Sequence, residues 1–112
     1  MRSDQERLFD ILEAIEKIER YVAGGKTAFD SEELLQVWMI HHLQTVGEAA
    51  SKLDRDFQAN HPEIPWAQII AMRNILIHDY FAVDLDEVWV AAERDIPRLK
   101  RGILAILDDI GP

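Results

Sequence analysis

Apolar residues recur at helical spacing along almost the whole chain, and no stretch shows the strict alternation of a half-buried strand. Near the N-terminus Leu8, Ile11, Leu12, Ile15, Ile18 and Val22 are separated by Asp10, Glu13, Glu16, Lys17 and Arg20. A helix built from them has one apolar and one charged face. Gly24-Gly25 stops it. Asp30, with Glu33 three residues on, reads as a capping box for a second helix running to about Phe57. Its apolar positions exceed one face, so it belongs at the centre. On it, Gly47 and Ala50 imply a close approach of another helix, because a mid-helix glycine costs about 1 kcal/mol relative to alanine. Pro62 and Pro65 mark the next connection, and Pro65 suits the first turn of a third helix, where its missing N–H has no intrahelical partner. A fourth helix starts at Asp84 with Glu87 completing a second capping box. It keeps its phase through Leu85, Val88, Trp89, Ala92, Ile96, Leu99, Ile103 and Leu107, and Pro97 must kink or split it. The expected fold is all-α, an up-and-down bundle of four long helices in a single domain over residues 1–112.

At 112 residues and 48% hydrophobic content the chain can bury one modest core, and a partner chain would help cover the remainder. Without cysteine it can form neither a disulfide framework nor a thiolate metal site. No apolar run resembles a signal peptide or a membrane span, so a soluble, cytoplasmic protein is expected. The net charge of −9 opposes broad binding to polyanions, and any RNA site must therefore be local. Arg94, Arg98 and Arg101 fall at i, i+4 and i+7 on one helix face. They read either as a solvated face paired with Glu93 and Asp95 or as a stripe that guides phosphates.

Against this plain background one octet stands out, Arg73-Asn74-Ile75-Leu76-Ile77-His78-Asp79-Tyr80. A guanidinium grips phosphate bidentately and an imidazole moves protons near neutral pH, so the pair could cut a phosphodiester without a metal. On an unbroken helix, however, Arg73 and His78 point roughly 140° apart. Convergence requires a helix end near Tyr80-Phe81 together with a two-fold axis that brings two octets across one cleft. Two copies would also supply two histidines, one as base on a ribose 2′-OH and one as acid on the leaving 5′ oxygen, while two arginines stabilise the charge on phosphate. Plainer roles stay open. Arg73 could pair with Glu48 of the second helix, His78 could be structural, and Asn74 could orient His78, hold RNA or bond between helices. Tyr80 could simply pack at the helix end.

The octet contains Arg-x4-His-x-Tyr and resembles the signature of the HepT toxin family within the HEPN ribonucleases. Val46-Gly47-Glu48-Ala49-Ala50, His61-Pro62-Glu63-Ile64-Pro65-Trp66, Val83-Asp84-Leu85-Asp86-Glu87-Val88-Trp89 and Asp95-Ile96-Pro97 stand in that family's order, so the likeness covers nearly the whole chain. The resemblance implies a HEPN-like bundle and a metal-independent endoribonuclease with no cofactor, working as a homodimer on single-stranded or loop RNA. Arg73 and His78 would be catalytic, with Asn74 and Glu48 in support. It further implies a toxin of a type II/VII-like toxin–antitoxin pair, silenced by a MntA-like nucleotidyltransferase antitoxin that transfers AMP from ATP to Tyr80. A noncatalytic helical subunit that assists such a transferase is the competing reading; RNA cleavage lost in His78→Ala separates the two.

The pair His41-His42 departs from the family pattern. Adjacent helical histidines point about 100° apart and do not share an ion easily, and with His61 in a loop no metal site is expected. Trp38, Trp66 and Trp89 read as core or interface anchors rather than base-stacking platforms. No glycine-rich phosphate loop precedes a helix.

Overall fold

A computed structural model describes residues 2–79 and 82–110, and among these residues it is helical with no strand. Helix α1 (Asp4–Val22) opens on a capping box: Ser3 Oγ accepts from Glu6 N, and the Glu6 carboxylate accepts from Ser3 N, both at 3.1 Å. It ends at Ala23, and Gly25, with φ of 89°, turns the chain into the short α2 (Lys26–Ser31).

The second helix differs from expectation. Asp30 is no cap; it lies inside α2 and pairs with Lys26 Nζ at 2.8 Å. The break falls at Glu32, whose backbone is extended, and α3 (Glu33–Ser51) follows. Gln36 Nε2 donates to the carbonyls of Phe29 (3.0 Å) and Asp30 (3.3 Å), which the break leaves free. Breaking there lets Phe29 turn into the core, 1% exposed, with its ring 5.3 Å from that of Trp89. At the other end α3 stops at Ser51, Leu53 turns inward, and Phe57 belongs to a separate short helix, α4 (Arg55–Asn60).

Helix α5 (Trp66–His78) follows Pro65, which stands one position earlier than expected, as the N-cap. Then come α6 (Leu85–Val90), a π-helical turn (Ala91–Asp95) and α7 (Ile96–Ile110). Asp84 caps α6, accepting from the amides of Asp86 (2.9 Å) and Glu87 (3.4 Å). Pro97 divides this last helix as expected. In an ideal helix its ring would clash with the carbonyl four residues back, and the wider π turn immediately before it relieves that clash.

The centre is α3, packed on α1 on one side and α5 on the other, with α7 against α1. Leu8, Ile11, Ile15, Ile18, Met39, Leu43, Val46 and Ile103 are the fully buried core. Helix α5 is different. It is apolar around most of its circumference, yet only Trp66 and Leu76 are buried, while Ile75 and Ile77 are 56% and 42% exposed. Among the described residues no helix is long and apolar enough to cross a membrane.

Candidate active site

The site begins where α5 crosses α3. A Cβ built on Gly47 would lie 2.2 Å from Arg73 Cβ, 2.9 Å from its Cγ and 3.2 Å from the Ile69 carbonyl oxygen, so only glycine admits this approach. The contact sets Arg73 beside Glu48, and Nη2 donates to Glu48 Oε2 at 2.5 Å. Nη1 donates to Asn74 Oδ1 at 2.8 Å. One N–H on each terminal nitrogen stays uncommitted, enough for a two-pronged grip on phosphate, whereas Nε is buried without a partner.

Glu48 serves two cations, since Oε1 lies 3.1 Å from Lys52 Nζ. The Lys52 hydrogen bond, with the charge of Arg73 added, outweighs partial desolvation and holds the carboxyl below its ordinary 4.5. Arg73 therefore faces a permanent carboxylate at neutral pH.

His78 is the last residue of α5, so the helix ends before the expected Tyr80-Phe81. The cause is Asp79, which leaves helical geometry while its N–H still reaches the Ile75 carbonyl at 2.9 Å. Gln44 Nε2 donates to the Leu76 carbonyl at 3.1 Å, satisfying another acceptor of the terminal turn. Because both residues remain helical, one chain does not bring them together. Arg73 reaches α3, His78 is exposed, and no hydrogen bond joins them among the described residues. Asn74 is committed to Arg73 rather than to His78. Tyr80 lies outside the described residues.

The basic stripe is elsewhere. Arg94 and Arg98 line a cavity of about 600 Å³ with Gln68 and Met72 of α5, and Arg101 does not line it. Arg94 pairs with Asp95 at 3.5 Å, but Glu93 accepts from Trp89 Nε1 at 3.2 Å instead of joining the stripe. His61 sits 3.4 Å from Glu63, and no cluster of histidine and acidic residues among the described residues has the spacing to hold a metal ion. Trp66 and Trp89 are buried, whereas Trp38 is 43% exposed beside Tyr21, His41 and His42. Gln44 and Lys52 escaped the sequence reading. A glutamine within a buried stretch and a lysine four residues after Glu48 were the available signals.

A helical bundle that holds an arginine by a carboxylate and ends the same helix on a histidine is equipped as a phosphodiester-cleaving protein. The chain belongs to the HepT-like ribonuclease family, whose model, "Ribonuclease HepT-like", matches residues 11–106. It is similar to "Probable ribonuclease HepT" of Thermococcus cleftensis, 40% identical over 102 residues that cover 88% of this chain and 91% of that protein. "Putative RNase TTE0752" of Caldanaerobacter subterraneus is 32% identical over 108 residues, 96% of each chain. "Gamma-glutamylcyclotransferase and putative RNase MJ0434" of Methanocaldococcus jannaschii is 40% identical over 101 residues, 89% of this chain, which spans 46% of that longer relative. No solved structure matches the chain significantly.

Proposed function

We propose that the chain is a metal-independent endoribonuclease toxin, a single cytoplasmic domain that cuts RNA at a composite site in a homodimer cleft. The observation that carries this reading is Arg73, anchored by Glu48 with two N–H groups left for phosphate, five residues before an exposed His78 at the helix end. Arg73 would neutralise the nonbridging oxygens. His78 of one chain takes the 2′-OH proton as that oxygen attacks phosphorus, and His78 of the second chain protonates the departing 5′ oxygen. A 2′,3′-cyclic phosphate and a 5′-OH result.

The dimer is supported by the uncovered face of α5. Beside Ile75, a second cavity of about 370 Å³ runs along α5 and shares Gln68 and Met72 with the first. Arg94 and Arg98 lie along one of these cavities, Asp84 and Glu87 along the other, so a two-fold axis would set basic against acidic ends.

A MntA-like nucleotidyltransferase antitoxin would silence the chain by AMPylation. The Tyr80 hydroxyl attacks the α-phosphorus of ATP, pyrophosphate leaves, and the phenol proton passes to a base of the transferase. The attached AMP would fill the cleft and repel RNA phosphates.

Purified protein should cut RNA in the presence of a chelator and leave cyclic phosphate ends, and His78→Ala should lose about 10²-fold or more. Loss of cleavage on chelation with recovery on adding magnesium would refute the mechanism. Co-expression with such a transferase should add AMP mass that vanishes in Tyr80→Phe; inhibition without added mass would mean inhibition by binding.

A further inference from the structure

Between α1 and α3 runs a groove of about 370 Å³ that the catalytic assignment leaves unused. The helices are antiparallel here: Tyr21 stacks on Trp38, and Asp54 N donates to Asp4 Oδ1 at 3.1 Å. Arg7, Asp10, Glu13 and Lys17 form one wall; His41, His42, Thr45, Glu48 and Lys52 belong to the other. Glu48 is thus shared with the Arg73 site. On the other side of α3, Gly47 faces Arg73 and Gln44 reaches the Leu76 carbonyl, and this register places His78 level with the His41-His42 end of the groove.

Charge and chemistry differ from the rest of the surface. Arg2 holds Asp10 at 2.6 Å, so counting it with Arg7, Lys17 and Lys52, four cations face three carboxylates, in a chain of net charge −9. Arg7 has no ion-pair partner among the described residues, although it is only half-buried. His42 is 5% exposed and its Nε2 has no hydrogen-bond partner, so the groove wall contains an unfilled polar site. Burial, then the neighbouring His41 and Lys17, push its imidazole below the usual 6.5, and the neutral ring offers one donor and one acceptor. At the same end Trp38 meets His41 edge-on at 6.0 Å and stacks on His42 at 5.3 Å, leaving an exposed aromatic face. Cations that track a backbone beside aromatic rings that stack bases are the two parts of a single-strand site.

We propose that the α1/α3 groove is an RNA subsite that seats the nucleotides adjoining the cut phosphodiester, with bases at Trp38 and His41-His42 and phosphates toward Lys17 and Arg7. It rests on the ribonuclease reading and extends it by giving the enzyme a strand path away from the two-fold cleft. Trp38 thereby takes the stacking role that its sequence position did not suggest.

The test uses the full chain with Lys17→Gln, Arg7→Gln and Trp38→Ala, all outside the buried core. In the cleavage-dead His78→Ala background, a fluorescein-labelled RNA hexanucleotide is titrated by anisotropy. Each groove variant should weaken binding at least fivefold. In the active chain the same variants should raise KM for the hexanucleotide by a similar factor with kcat within twofold. A dinucleotide too short to reach the groove should be cut unchanged. Affinity and KM within twofold of the parent overturn the groove and leave the ribonuclease reading standing. A chain that never cuts RNA, but whose RNA affinity falls with the groove variants, keeps the groove and overturns cleavage. A chain that binds no RNA overturns both.

Discussion

Gly47 and Arg73 approach so closely that a single methyl group on the glycine would collide with the arginine's Cβ at 2.2 Å. Gly47→Ala should therefore destabilise the fold by about 1–3 kcal/mol, despite the better helix propensity of alanine, because α3 and α5 must separate. Urea denaturation measures the loss, and cleavage should fall with it as Arg73 shifts. An alanine variant as stable as the parent would mean the two helices yield easily.

Glu48→Gln keeps the size of the side chain and removes the charge that anchors Arg73. RNA cleavage should drop about ten- to hundredfold, mainly in kcat, since a misplaced guanidinium no longer meets the transition state. The carboxyl of Glu48 is held below 4.5, so its stabilising contribution is complete above that pH and is lost as the pH falls through its lower folded value. Melting curves of parent and variant should differ at neutral pH and converge only in acid.

His42 titrates the other way. Its folded value lies below the ordinary 6.5, so the unfolded chain binds the proton more readily. Its contribution is fully present above pH 6.5 and is lost as the pH falls from there through the folded value. His42→Phe, which keeps a ring against Tyr21 and Trp38, should flatten the dependence of Tm on pH across that window. An unchanged profile would assign the dependence to another group.

Mixing inactive Arg73→Ala and His78→Ala chains, after subunit exchange has been verified, should restore part of the activity. A composite site leaves one cleft in the mixed dimer with an intact combination of groups. No recovery in verified heterodimers would place both residues in one chain's own site.

Ile75→Asp and Ile77→Asp put a charge on the uncovered face of α5. Both should shift sedimentation toward monomer and abolish cleavage together, with the helical far-UV spectrum retained. A monomeric variant that still cuts would separate assembly from catalysis.

Much of this was legible in the residues. The period of Leu8 to Val22, the capping role of Asp84 and the glycine at 47 each carry a local physical demand that tertiary structure then meets. The Asp30-to-Phe57 segment was misread as one helix, because Asp30 and Glu33 mimic a cap while the burial of Phe29 and the glutamine bonds of Gln36 decide the break. The end of α5 was set two residues too late, since the last turn is fixed by Asp79 and by Gln44 from another helix. At the site, the Arg73–Glu48 pair was anticipated among the plainer roles, but the commitment of Asn74 to Arg73 was not. An amide beside an arginine does not reveal which neighbour it will serve.

The π turn at Ala91–Asp95 works as a vernier. Val88, Ala92 and Ile96 are all buried and stand four residues apart, a spacing that would carry the third about 80° out of line with the first on an α-helix. The wider turn takes up that excess, so the stripe of α6 and the stripe Leu99, Ile103 and Ile106 of α7 address the same core. Chain length is consequently encoded at this point. Deleting one residue within the tract would tighten it to an ordinary helix, rotate every later side chain against α1, and strand Lys100 from Glu19, its partner at 2.9 Å. Elsewhere in α6–α7 a surface substitution is a local event; here a one-residue deletion would turn the whole C-terminal third of the bundle.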